Sequence, residues 1–322
     1  MKPRARRAAI SLAVALSLAA GLEAQAVPPK AAQVRGARER IDRALQRDVE
    51  SLARGFHGDV GIYVHHLSTG RTAALNADSV FPTASMIKVP ILAATYDAVA
   101  RGALHLSDTL TYRDSLLYEG DDILGLARDS ARIELGHVVM LMITMSDNTA
   151  ALWLQHLAGG GTAVNAWLSA NGFDSTRVNS RTPGREANRR VYGWGQTTPR
   201  EMAQLVTMIR RERAVSPAAS QEMYRALTRI FWNGEALSQL PPWVQAASKQ
   251  GAVDHSRSEV VLVNAPSGDY VFSVITKNLA DSSWTADNEG WVLIRKLSAL
   301  LWRRFEPRHP WMPDPGAAAL KP

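Results

Sequence analysis

The 322-residue sequence contains no cysteine. Disulfides, a lipid-modified cysteine, thiol nucleophiles and thiolate metal sites are excluded together. After the first 26 residues, no run approaches the roughly 20 apolar residues that a membrane-crossing helix needs. No module interleaves basic and aromatic residues in the way that holds nucleic acid. The eight histidines show no metal-ligand spacing. His65 and His66 are adjacent on a strand-like run, where neighbours face opposite sides and do not share an ion. No metal, no cofactor and no nucleic-acid partner is therefore expected.

What is present describes a globular chain, 46% hydrophobic and 21% charged, with length enough for a large core. Residues 1–26 read as an export signal. Lys2, Arg4, Arg6 and Arg7 precede an apolar stretch from Ala8 to Ala20, and Ala24 and Ala26 supply small residues before a cleavage point. The expected mature chain is exported, periplasmic or secreted, without a membrane span, and monomeric. The formal charge of +7 falls to about +4 once that segment is set aside. A mild attraction for an anionic small molecule follows.

Residues 27–37 read as a flexible leader. A helical period from Arg38 to Ala53 is followed by a strand, "DVGIYVHHL", and its turn into a second strand. From residue 84 to 229 the pattern is mainly helical. Three strand-like runs come next, "VQAASKQG", "EVVLVNA" and "YVFSVITKN", and then an amphipathic helix. Strands at both ends and helices between predict an α/β (α+β) unit, residues 38–305. It has an antiparallel five-stranded sheet flanked by helices (38–83 and 230–305) and an all-α lobe (84–229). The cleft between the two is the natural binding site. Residues 306–322 are Pro-rich and read as a disordered tail.

"FPTASMIKVP" places Ser85 and Lys88 three residues apart, on one face of a helix start. Unpaired N–H groups there favour developing negative charge. A desolvated lysine one turn on can serve as a base. Alone, S-x-x-K is a common chance pairing of a capping serine and a surface lysine. Pro90 is an oddity, since a proline inside a helix costs about 3 kcal/mol. The S-x-x-K set is followed by "SDN" (Ser146 to Asn148) and "KQG" (Lys249 to Gly251). In that order the three resemble the signature of class A β-lactamases and penicillin-binding proteins. "LMITMSDNTAALWL" and "QTTPREMAQLV" resemble two further helices of that family.

The resemblance, over residues 55–305, implies a β-lactamase/transpeptidase-like fold and a set of roles. Ser85 would be the acylated nucleophile and Lys88 would help deprotonate it. Ser146 would relay a proton to the leaving nitrogen, assisted by Lys249, whose charge also attracts a substrate carboxylate. Asn148 would hydrogen-bond the substrate amide. Gln250 and Gly251 would be further substrate-binding residues, the Gln250 amide still able to donate where the family's hydroxyl binds the substrate carboxylate. The N–H groups of Ser85 and Ala252 would form the oxyanion hole. Arg257 resembles the family arginine that meets the substrate carboxylate, or is a solvated strand-end charge.

Three positions depart from the family. Gln250 replaces a hydroxyl residue. Thr182 stands where the Ω-loop glutamate that activates the deacylating water is expected. Glu186 has either taken over that task or is a surface residue. Ser180 and Gly195 replace an ion pair at the loop's neck, with "VYGWG" offering aromatic packing instead. The expected function is opening of β-lactam amides through an acyl-serine, with deacylation in doubt. Two alternatives remain: a peptidoglycan-peptide or ester hydrolase of the penicillin-binding type, and a non-catalytic ligand-binding module.

Overall fold

The computed structural model describes residues 37–118 and 122–321. Residues 1–26, expected to be an export signal, and residues 27–36 of the expected leader lie outside them. In chain order the elements are β1 (Arg40–Ile41), α1 (Arg43–Ala53), β2 (Asp59–His66), β3 (Arg71–Leu75), β4 (Phe81–Pro82) and α2 (Lys88–Ala100). Next come β5 (Thr109–Thr111), β6 (Arg132–Glu134), α3 (Leu135–Met140), α4 (Asn148–Leu157), α5 (Gly160–Ala170) and β7 (Arg177–Val178). Then follow α6 (Glu186–Tyr192), β8 (Gly195–Thr197), α7 (Pro199–Arg210) and α8 (Pro217–Leu227). The last are β9 (Ala246–Val253), β10 (Ser256–Val263), β11 (Tyr270–Lys277) and α9 (Glu289–Phe305).

The main sheet runs β1-β3-β2-β11-β10-β9. It has six strands, not the expected five. The additional strand is β1, paired parallel to β3 through Arg40–Arg71 and Ile41–Thr72. Its residues look like the start of a helix, but the helix begins only after Asp42. That side chain accepts from Ala44 N and Leu45 N, both at 3.0 Å, the geometry of an N-cap. Gly70 lets β1 approach: its φ is +70°, and a Cβ there would lie 2.2 Å from Arg38 O.

The central strands are buried on both faces, so each face carries its own core. Val260, Leu262, Val271 and Ile275 pack toward the helices of the middle segment. Val261, Val263, Phe272 and Val274 pack toward α1 and α9, meeting Leu45, Val49, Leu297 and Leu301. β9 is one edge of the sheet, and that edge faces the start of α2.

Residues 306–321 depart from the reading as a disordered tail. Trp302 Nε1 donates to His309 O at 2.9 Å, and Trp311 packs against the core under α9. Prolines restrict the backbone as well as breaking helices, and the aromatic ring supplies an anchor.

Candidate active site

Ser85 sits at a break in backbone regularity. Ala84–Ile87 make one 3-10 turn, and α2 begins only at Lys88. Ala84 has a left-handed φ of +43°, a conformation that costs a non-glycine residue about 1–3 kcal/mol and gathers at functional sites. The same break explains Pro90. It is the third residue of α2, in the first turn, where N–H groups have no intrahelical acceptor.

A second irregularity holds Ser146. Leu141–Met145 form a π turn, and Ser146 ends it at φ +61°, ψ +29°. Asp147 then caps α4, accepting from Ala150 N at 2.7 Å and from Leu124 N at 2.8 Å.

Lys88 and Lys249 are both fully buried. Lys88 Nζ lies 3.1 Å from Ser85 Oγ, 3.1 Å from Ser146 Oγ and 2.7 Å from Asn148 Oδ1. It also donates to Ser146 O. Four acceptors exceed the three protons of an ammonium, and only the two hydroxyls can donate in return. Lys249 Nζ lies 3.0 Å from Ser146 Oγ, 3.0 Å from Gln250 O and 3.3 Å from Gln250 Oε1. A continuous chain of polar contacts thus links Ser85, Lys88, Ser146 and Lys249.

Burial brings the Lys88 ammonium down to about 7, against the opposing pull of Asp122 and Asp147. Burial, and after it the charge of Lys88, also lowers Lys249 well below the usual lysine range. A base that is half neutral near pH 7 is suited to taking a hydroxyl proton.

β9 closes the site from the other side. A Cβ on Gly251 would lie 2.7 Å from both Ser85 N and Thr83 O, so only glycine allows the strand so close. The two-residue turn Asp254–His255 closes the β9–β10 hairpin at Val253–Ser256. Pairs in such a hairpin alternate between bonded and non-bonded, which leaves the Ala252 N–H pointing off the sheet edge. Two cavities meet here. One, of about 460 Å³, is lined by Tyr118, Tyr192, Trp194, His255 and Lys277 among others. The other, of about 650 Å³, is lined by Asp122, Trp232, Glu235, Gln250, Trp284 and Trp291. Ser85, Asn148 and Ala252 line both.

Glu186, Thr182 and Arg257 are outside the lining of both cavities. Glu186 is exposed at the start of α6, where Gly184 N donates to its Oε1 at 3.1 Å, and it lines neither cavity. Thr182 is buried against α5: a Cβ on Gly161 would lie 1.8 Å from its Oγ1. Arg257 is buried and is not a solvated charge. Its guanidinium donates to Val253 O, Ser256 O and Ser283 O. Trp284 and Trp291 flank it, their ring centres 4.5 Å and 5.2 Å from Cζ.

Amides replace the ion pair at the loop's neck. Gln155, buried on α4, donates to Ser180 O at 2.7 Å and accepts from Ser180 Oγ at 3.2 Å. Trp194 packs edge-on to Tyr118 at 4.9 Å, which supplies the aromatic contact. Sequence reasoning passed over the three tryptophans of the second cavity and Asp122. Nine tryptophans in the chain were the available signal.

The model of the Beta-lactamase enzyme family matches residues 44–305. The chain belongs to that family. Among its relatives, a beta-lactamase of Streptomyces fradiae is 33% identical over 190 residues, 56% of this chain and 60% of that protein. Beta-lactamase AER-1 of Aeromonas hydrophila is 26% identical over 76% of this chain and 81% of that protein. Among solved structures, PBP-A superposes with a TM-score of 0.76 at 27% identity, covering 85% of this chain and all of PBP-A. A beta-lactamase from Sphaerobacter thermophilus gives 0.74 at 25%, covering 84% of this chain and all of that one. The mixed α/β architecture and the serine-hydrolase relationship of the beta-lactamase family are thereby those of this chain.

Proposed function

We propose that the protein forms an acyl-serine at Ser85 from β-lactam or acyl-peptide amides and releases it slowly, in the manner of a penicillin-binding protein. The observation that carries this reading is the chain of contacts from Ser85 Oγ through Lys88 Nζ and Ser146 Oγ to Lys249 Nζ, at 3.1, 3.1 and 3.0 Å. Neutral Lys88 takes the Ser85 proton as the oxygen attacks the carbonyl carbon. The oxyanion meets the N–H groups of Ser85 and Ala252. A single donor of this kind is worth about 10²–10³ in rate. As the carbon–nitrogen bond breaks, the proton passes from Lys88 through Ser146 to the leaving nitrogen. Asn148, on the rim of both cavities, orients the substrate amide.

The second half-reaction lacks its usual base. Thr182 is buried against α5 and Glu186 is directed to solvent, so neither activates a water at the acyl group. One solved relative supports the acylation reading: a point mutant of PBP-A, 28% identical, is an acyl-enzyme complex with penicillin G. The protein would act after export, which residues 1–26 are built to direct.

Intact-mass measurement after incubation with penicillin G tests this. The expected result is a persistent adduct at Ser85, absent in Ser85→Ala. Rapid turnover without an adduct would replace it with the reading as an efficient lactamase. Neither adduct nor turnover, with penicillin G or with an acyl thioester, would leave a binding module.

A further inference from the structure

We infer that Trp232 is a positioning residue for Ser146, holding that hydroxyl where it can protonate the leaving nitrogen. This rests on the acyl-serine reading, in which Ser146 passes the proton on. Trp232 stands beside the relay, in the tryptophan wall of the 650 Å³ cavity that Ser146 also lines. It acts through the backbone of the turn that carries Ser146.

That turn needs a hold from outside. Leu141–Met145 close one π turn, and Ser146 follows in the left-handed region at φ +61°. A non-glycine residue there costs about 1–3 kcal/mol and persists only where its surroundings fix it. The reversal also ends the helical ladder, so the last carbonyls of the turn find no N–H group in their own helix. Leu141 O is met by Asp147 N at 3.1 Å, and Ser146 O by Lys88. The carbonyls of Thr144 and Met145 are met by a segment 87 positions further on. Phe231 N donates to Thr144 O at 3.1 Å, and Trp232 Nε1 donates to Met145 O at 2.9 Å.

Met145 O belongs to the peptide unit that ends at the Ser146 nitrogen. The indole bond therefore fixes the peptide from which Ser146 projects. Phe231 meets the Trp232 ring edge-on, centres 5.1 Å apart at 82°, and this sets the plane in which the indole N–H lies. Ser146 Oγ has to reach both lysines, Lys88 Nζ at 3.1 Å and Lys249 Nζ at 3.0 Å. A rotation of the Met145–Ser146 peptide would take it from at least one of them. Misplacement by about 1 Å can cost about 10²-fold in rate.

Two substrates that share a phenylacetamido acyl group test this on the purified protein: penicillin G and the S-phenyl thioester of phenylacetylglycine. In both, Ser85 Oγ bonds to the carbonyl carbon and its proton goes to Lys88. In penicillin G the carbon–nitrogen bond breaks, and the nitrogen departs as that proton reaches it through Ser146. In the thioester the carbon–sulfur bond breaks and the thiolate carries the electron pair away as a stable anion. Lys88 then returns the proton to solvent, and Ser146 is not needed. Intact mass reads the Ser85 adduct of each. A thiol reagent follows the second without interference, because the chain has no cysteine.

Trp232→Phe keeps an aromatic ring and removes the N–H. The side chain is 39% exposed, so the change opens no cavity in the core. The limiting acylation rate with penicillin G, divided by that with the thioester, is expected to fall about 10–100-fold. The half-saturating concentration of penicillin G is expected to hold within about threefold, since the lost interaction bears on the proton transfer. Trp232→Ala should match Trp232→Phe, because both lack the donor. A ratio within about twofold of the parent's in Trp232→Phe overturns the inference, whether both rates hold or both fall together. A loss confined to Trp232→Ala overturns it as well, by showing that the ring only packs. Absence of a Ser85 adduct with either substrate in the parent protein overturns the acyl-serine reading too.

Discussion

Lys88 Nζ stands 3.1 Å from Ser85 Oγ, inside the protein and out of contact with solvent. Desolvation disfavours the charged form, which is why the group titrates at about 7. Only neutral Lys88 can accept the serine proton. Acylation should therefore rise with pH through a limb centred near 7 and level off above it, whereas a lysine of ordinary basicity would keep it rising toward 10. Stopped-flow acylation rates between pH 5 and 9 read this directly. Lys88→Met should lower the plateau by about 10²–10⁴-fold and remove the limb.

Gly251 and Ser85 meet backbone to backbone, which makes position 251 intolerant of any side chain. In Gly251→Ala the new Cβ would lie 2.7 Å from Ser85 N and Thr83 O. Those are main-chain atoms of a strained turn and have little room to yield. Either β9 withdraws, taking the Ala252 N–H away from the oxyanion, or the turn shifts. Acylation should fall by about 10²–10³-fold, the worth of one oxyanion donor. Thermal unfolding should show a smaller loss, about 1–3 kcal/mol. Acylation unchanged within a factor of two would mean that Ala252 is not a donor.

The motifs were legible because helix spacing and motif order survive in the sequence without knowledge of the fold. Ser85 and Lys88 are one turn apart whatever packs around them. Arg257 was not legible in the same way. β10 is buried on both faces, so "SRSEVVLV" lacks the polar–apolar alternation that reports which side chain faces which layer. The register, Arg257 opposite Ala252, decides it, and it turns the arginine toward α9. β1 was hidden for another reason. Its two residues pair with β3 across 31 positions, and local pattern carries no trace of such a partner. The tryptophan wall shares that difficulty, since Trp232, Trp284 and Trp291 come from separate segments.

The Ω-loop residues make a paired prediction about deacylation. Glu186→Gln should leave the rate of adduct loss unchanged within about twofold, because the carboxylate faces solvent at the start of α6 and lines neither cavity. Thr182→Glu should also fail to create a fast hydrolase. Its side chain would be directed at Gly161 of α5, where a larger acidic group is both crowded and desolvated, at a cost of about 1–3 kcal/mol. Time-resolved intact mass of the penicilloyl adduct separates the cases. A tenfold faster loss in Thr182→Glu would show that the loop re-aims itself toward Ser85.

Gln155 and Ser180 hold the loop's neck through neutral groups, and this predicts an order among substitutions. The amide of Gln155 gives a proton to Ser180 O at 2.7 Å and receives one from Ser180 Oγ at 3.2 Å. Ser180 O keeps a second donor, Thr182 Oγ1, at 2.9 Å. Gln155→Ala should therefore cost about 1–3 kcal/mol, read as a lower Tm, without stranding the carbonyl. Gln155→Glu keeps the acceptor but loses the donor, and buries a carboxylate against a carbonyl oxygen. It should be the more destabilising change and should recover as pH falls and the carboxyl protonates. In both variants the Ser85–Lys88–Ser146 contacts are untouched, so acylation should hold while limited proteolysis between residues 179 and 196 accelerates. Loss of acylation in step with Tm would instead mean that the neck and the nucleophile unfold together.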